Sequence, residues 1–256
     1  MREVTTNIDL DGEVLVDIDV LQDNSYIAIT DKGNVFFPFD KVQIYQSFKF
    51  PVIRQLDDNS FLIANARTGE STDNCFIYDL KGNVLKHFYA GDGIQDIVVL
   101  RDKIIITYFD EGVYGPDGPN NQGLVLFDFH GNVLFKYNEK HGEQIISDCY
   151  CICKHGVNRV LFLPYTDFPL IELNLDNGDE KKFEIPEQLK GSNGLTSTAD
   201  SFIFHSPYED KRGIYEWKTG DKTAEKIGEY SEGLRGLQNG RFISIEQKGF
   251  TILDLN

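Results

Sequence analysis

Oxygen-bearing side chains crowd one stretch of the chain, YFDEGVYGPDGPNNQG, from Tyr108 to Gly123. Asp110, Glu111 and Asp117, with Asn120 and Asn121, are hard donors of the kind that hold Ca²⁺. Their spacing is not that of an EF-hand loop, so Asp110 and Glu111 alone carry what metal reading there is. The plainer reading is a loop whose acids cap backbone N–H groups and whose Pro-Gly pairs set turns. Tyr114 adds an aromatic side chain to the same stretch.

A second set of charges recurs at a fixed place. Aligned on the residue before each turn, the hairpin segments put Asp17, Asp96 and Asp148 at equivalent positions, with Arg54 and Arg235 two residues along. A mixed Asp/Arg set can bind a cation, pair internally or hold a polar small molecule. An unpaired charge of this kind must face water or ligand, because burying it is costly. A slip of one residue in register would turn these side chains away.

The remaining chemistry is sparse. His205 ends an apolar run beside SPYED, and as a general base it needs a partner that the sequence does not show. There is no P-loop, no HExxH and no G-x-S-x-G elbow. Of the four cysteines, Cys149, Cys151 and Cys153 alternate in DCYCICK, which on a regular strand places all three on one face. A straight strand wraps a zinc tetrahedron poorly, so these thiols and Cys75 read as small buried apolar groups. Four reduced thiols fit a cytoplasmic setting. The chain asks for no cofactor beyond the Ca²⁺ reading above.

The elements that must position these residues are strands. Short β-branched and aromatic runs such as SYIAIT, SFLIANA, KIIITYF, LVLFDF and RFISIE are bounded by Gly, Asn and Asp. Helical periodicity is nearly absent, with PEQLKG (Pro186 to Gly191) at most one turn. No apolar run approaches the roughly 18 residues of a membrane helix, and MREVTTNIDLDGEV lacks the apolar region of a secretory signal. Acidic residues outnumber basic ones 41 to 25, and a net charge of −16 repels a nucleic-acid backbone. The partners left are a protein or a small polar ligand, with neither nucleic acid nor membrane.

Repeats define the architecture. IYDLKGNVLKHF (Ile77 to Phe88) and LFDFHGNVLFKY (Leu126 to Tyr137) are the same strand–turn–strand unit, with Gly-Asn supplying positive φ. A second hairpin unit recurs six times, from VDIDVLQDNSYIAIT to LRGLQNGRFISIE. Two hairpins make a four-stranded propeller blade, and six units over 256 residues fit known blade lengths. The expected fold is all-β, one six-bladed β-propeller domain over 1–256. Its blades run over roughly 9–50, 51–91, 92–144, 145–191, 192–232 and 233–256. The last unit lacks a fourth strand, which 1–8 supplies, closing the ring and removing two open edges.

In this pattern the chain resembles six-bladed β-propellers, NHL- or YncE-like in the loose sense. The segment from GDGIQDIVVL to FHGNVL (Gly91 to Leu134) is similar to uncharacterised bacterial propeller-like proteins. WD, kelch and Asp-box repeats are missing, so the resemblance implies fold and not activity.

Blade topology puts the second-to-third strand loops on one face with the junctions between blades. These loops are the long ones: RTGESTDN, DEGVYGPDGPNNQG, PYTDFP and SPYEDKRG. The sequence therefore reads as a non-catalytic binding propeller that uses its loop-rich face. The alternative is a propeller lyase, lactonase or hydrolase acting on a small polar substrate, with a cation in an acidic channel. An exposed aromatic patch of Tyr114, Tyr165, Phe168 and Tyr208 favours the first; convergence of Asp96, Asp148 and Asp110 favours the second. On either reading the ligand-facing candidates are Asp110, Glu111, Tyr114, Asp117, Asp17, Asp96, Asp148, Arg54, Arg235 and His205.

Overall fold

The computed structural model describes residues 1–142 and 145–256. Among them, strands β1 to β24 form six antiparallel sheets of four strands each, the six blades of a β-propeller. The N-terminal strand β1 (Arg2–Asn7) pairs with the last strand of the chain and completes the sixth blade, as the sequence anticipates.

The chain divides into two compact units of three blades. One comprises 7–145 and 245–249. Its first blade is β2 (Leu15–Val20), β3 (Tyr26–Thr30), β4 (Asn34–Phe36) and β5 (Lys41–Gln43). The second is β6 (Pro51–Asp57), β7 (Ser60–Asn65), β8 (Cys75–Asp79) and β9 (Val84–Phe88). The third is β10 (Ile94–Leu100), β11 (Lys103–Tyr108), β12 (Leu124–Asp128) and β13 (Val133–Lys136).

The other unit comprises 1–6, 146–244 and 250–256. The fourth blade is β14 (Asp148–His155), β15 (Arg159–Tyr165), β16 (Leu170–Asn174) and β17 (Glu180–Phe183). The fifth is β18 (Gly194–Ser197), β19 (Phe202–His205), β20 (Gly213–Trp217) and β21 (Glu225–Glu229). The sixth is β22 (Arg235–Gly236), β23 (Arg241–Glu246) and β24 (Gly249–Asp254), finished by β1.

Within each unit the cores lie between successive blades. Ile97, Ile104 and Ile106 of the third blade pack with Leu62, Ile77 and Phe88 of the second. Leu161 and Leu163 of the fourth pack with Leu195, Phe204 and Trp217 of the fifth. A sheet buried on both faces needs apolar residues at nearly every position, which is why runs such as KIIITYF do not alternate.

The repeated Gly-Asn turns have a packing role besides their backbone one. Gly82 and Gly131 both sit near φ +80°. A Cβ on Gly82 would meet Val42 Cγ2 at 2.7 Å, and one on Gly131 would meet the Phe88 ring at 2.6 Å. Each turn thus rests on the outer strand of the preceding blade, at a distance only glycine permits.

Among the described residues helix is confined to single turns. A 3₁₀ turn at Glu187–Leu189 falls inside the segment the sequence allows one turn. Not anticipated were α1 (Asp110–Val113), α2 (Tyr137–His141) and a 3₁₀ turn at Pro119–Gln122. Among the described residues no helix is long and apolar enough to cross a membrane.

Candidate functional site

The recurrent charges of the first strands come together in the first three blades. Arg54 on β6 places Nη1 2.7 Å from Asp17 of β2, and its Nη2 bonds Asp96 of β10. Its Nε donates to the Ile97 carbonyl at 2.6 Å. The Asp17 and Asp19 carboxylates also accept the Ile53 and Gln55 backbone N–H groups, at 2.8 and 3.0 Å. Burial works against the guanidinium charge, but Asp17, Asp96 and Asp19 outweigh it and hold its pKa above the usual range. Of the three uses open to these residues, Arg54, Asp17 and Asp96 show internal pairing.

Register explains which charges meet. In β2 and β10 the pairing slips by one residue just before Asp17 and Asp96, at Val16 and Gln95. In β14 the same slip occurs at Tyr150, so Cys151 takes the place of Asp17 and Asp96. Asp148 lies nearer the strand start, opposite Tyr165, and is not their equivalent. β14 is the longest of the three strands, eight residues from Asp148 to His155, so an alignment on the turns sets its start out of register with the other two. Arg235 is half-buried on β22, opposite Ile243. The slip also separates Cys149 from the face that Cys151 and Cys153 share with Leu161 and Leu163. All four thiols are nevertheless buried, and none is in a disulfide.

The stretch at Tyr108 to Gly123 is a folded unit. Asn120, fully buried, donates to the Gly112 and Pro116 carbonyls at 2.6 and 2.9 Å. Asn121 donates to Val113 at 2.8 Å and accepts the Gly118 N–H at 2.8 Å. The two amides, rather than the acids, thus knit the segment. Asp110 accepts the neighbouring Glu111 N–H at 2.7 Å, and both acids lie in the first turn of α1, where negative charge suits the helix dipole. Glu111 pairs with Arg67, whose guanidinium lies over the Phe109 ring. Asp117 and Tyr114 are exposed, Tyr114 at 70%. Among the described residues no three His, Cys, Asp or Glu side chains gather as a metal site.

His205 is buried rather than surface-facing. Its Nε2 lies 3.3 Å from the Tyr230 carbonyl, and its Nδ1 has no hydrogen-bond partner. Burial lowers its pKa, opposed by the Tyr230 carbonyl and Asp210. The ring sits beside Phe242 as a neutral core histidine.

Aromatic residues converge where the fourth and fifth blades send out their second-to-third strand loops. Phe168 stands edge-on to Tyr150, Tyr165 and Tyr208, with ring centroids 5.0, 5.6 and 5.5 Å away. The Tyr150 and Tyr208 hydroxyls bond each other. Burial and these tyrosine neighbours push the Tyr150 hydroxyl pKa up. Phe168 and Ser206 hold φ of 55° and 58°, an uncommon backbone for non-glycine residues that is found at ligand clamps. Tyr208 lies against Gly191, where a Cβ would strike its ring. Phe168 is buried, whereas Tyr165 and Tyr208 remain 43% and 45% exposed. The sequence names three of these rings; Tyr150, which sits at the register slip of β14, is the one it did not name. Tyr114 belongs to the third blade. Beside Phe168 opens a groove of about 890 Å³ floored by Pro169, Phe183, Ile185 and Pro186, with Lys190 on its wall.

No family model matches this chain, and no curated protein sequence does. Solved structures share its fold. Virginiamycin B lyase from Staphylococcus aureus superposes with a TM-score of 0.62 at 11% identity, covering 100% of this chain and 99% of that one. The extracellular domain of a one-component system from B. thetaiotaomicron gives 0.57 at 9% identity, over 95% of this chain and 30% of that one. The WD40 propeller domain of Doa1 gives 0.53 at 9%, over 99% and 97%. At these identities the likeness is one of fold, shared by a lyase and by non-lyase propellers.

Proposed function

We propose that the chain is a cytoplasmic binding module that docks a protein partner on the loop-rich end of its fourth and fifth blades. The observation that carries this reading is the four-ring cluster. Tyr165 and Tyr208 offer large, amphipathic contact surface, and Tyr150, Phe168 and Gly191 fix them before any partner arrives. Preorganised aromatic anchors are what interface hot spots are made of. The rigid Tyr108 to Gly123 segment, with Tyr114 exposed, is a second contact surface on the same class of loop. Four buried thiols outside any disulfide fit a reducing compartment.

The enzyme reading needs Asp96, Asp148 and Asp110 around a cation. Asp96 is engaged by Arg54, and Asp110 stands at the start of α1, so the geometry lends that reading no support. The test is affinity capture by the native chain beside one with Tyr108 to Gly123 shortened and one carrying Tyr208→Ala. A specific partner lost from either variant, with the melting temperature kept, supports docking; capture unchanged in both contradicts it.

A further inference from the structure

The other end of the same two blades, where first strands turn into second strands, holds a hydroxyl, an imidazole and a carboxylate in series. His155 closes β14 and Ser197 closes β18. The Ser197 hydroxyl lies 2.8 Å from His155 Nδ1. The far nitrogen of that ring, Nε2, lies 3.4 Å from a Glu172 carboxylate oxygen on β16. Arg159 Nη1 approaches the other oxygen of Glu172 at 3.5 Å. The Phe202 ring, 6.2 Å away, borders the imidazole.

A hydrogen-bonded clasp between blades needs only the first of these contacts. The carboxylate on the far nitrogen is what a proton relay adds: it orients the ring and stabilises the imidazolium that forms. Burial lowers the imidazole pKa, with Glu172 opposing and Arg159 assisting, so the ring is neutral near pH 7 and free to accept a proton. Ser197 is 4% exposed, which limits any reagent to a small one.

We propose that Ser197 is an activated nucleophile, with His155 as its general base and Glu172 positioning the imidazole, and that it accepts the acyl group of a small ester. Ser197 Oγ attacks the ester carbonyl carbon as His155 Nδ1 takes the hydroxyl proton. The bond to the leaving alcohol breaks, and the alcohol departs with that proton. Water then attacks the acyl-serine with His155 again as base, releasing the carboxylic acid and restoring the hydroxyl. This activity goes beyond the docking role and shares no residue with the aromatic cluster.

The test uses the full chain and p-nitrophenyl acetate, following p-nitrophenol release and locating acetyl groups by peptide mass spectrometry. The expected result is acetylation at Ser197, with a rate that rises with pH as the imidazole loses its proton. His155→Gln keeps a hydrogen-bond partner for Ser197 but no base, and should slow labelling about 100-fold. Glu172→Gln should shift the pH profile, which a merely structural contact would not do. Ser197→Cys keeps a nucleophile in place and should remain labelled. Acetylation confined to lysines, or Ser197 labelling equal in His155→Gln, overturns the proposal and leaves the contact a clasp.

Discussion

Arg54 Nη1 reaches the Asp17 carboxylate of the preceding blade at 2.7 Å, and both side chains are almost wholly removed from water. The same guanidinium bonds Asp96 of the following blade, so one cation ties three blades. Removing one partner of a buried pair strands the other charge and costs about 3–5 kcal/mol. Arg54→Met should therefore lower stability by that amount in urea, at unchanged m-value. A loss below about 1 kcal/mol, the range of surface pairs, would show that the three acids find other partners.

A Gly-Asn turn can be compared with a glycine outside such a turn. Gly12 has φ +85° with nothing near its missing Cβ, whereas Gly131 has φ +79° with the Phe88 ring beneath it. Both lose left-handed freedom on substitution by alanine, but only Gly131→Ala also overpacks. It should cost about 1–3 kcal/mol more than Gly12→Ala by thermal or urea unfolding. Equal losses would mean that the turn alone, and not its seat on the preceding blade, selects glycine.

Acid should weaken the fold through two histidines. Burial lowers the folded-state pKa of both His155 and His205. The unfolded chain titrates near pH 6.5, so it takes up these protons first as the pH falls. The contribution is complete above about pH 6.5 and is lost as the pH drops toward the depressed folded values. Melting temperature should decline between pH 7 and 5, and His205→Leu should flatten that slope. An unchanged slope in His205→Leu would assign the decline elsewhere.

All four thiols should be silent in the native state. Cys75, Cys149, Cys151 and Cys153 are buried, and burial pushes the Cys75 and Cys153 thiols up in pKa. An aromatic disulfide reagent should titrate none of them until urea unfolds the chain, and then all four. A thiol that reacts at once in buffer would contradict the packing of that strand.

The blades and their closure by β1 were legible because strand length, turn chemistry and repeat spacing are local properties written into each hairpin. The site was legible only in pieces. Tyr165, Phe168 and Tyr208 stood out as aromatics in loops, but Tyr150, inside the DCYCICK strand, was not singled out. Asp148 lost its equivalence with Asp17 and Asp96 because β14 carries Cys151 at their register position, three residues further along the strand. The contact of His155 with Ser197 and Glu172 joins three strands of two blades, and no local pattern records it. Asn120 and Asn121 read as loop residues, though their amides hold the longest loop together.

The docking account rests on the exposed pair Tyr165 and Tyr208 above Phe168. Its most direct test is quantitative affinity capture with the native chain and with the double variant Tyr165→Ala/Tyr208→Ala, each first matched for melting temperature. The account predicts a specific protein retained by the native chain and lost from the double variant. Retention of the same proteins in the same amounts by both would contradict it.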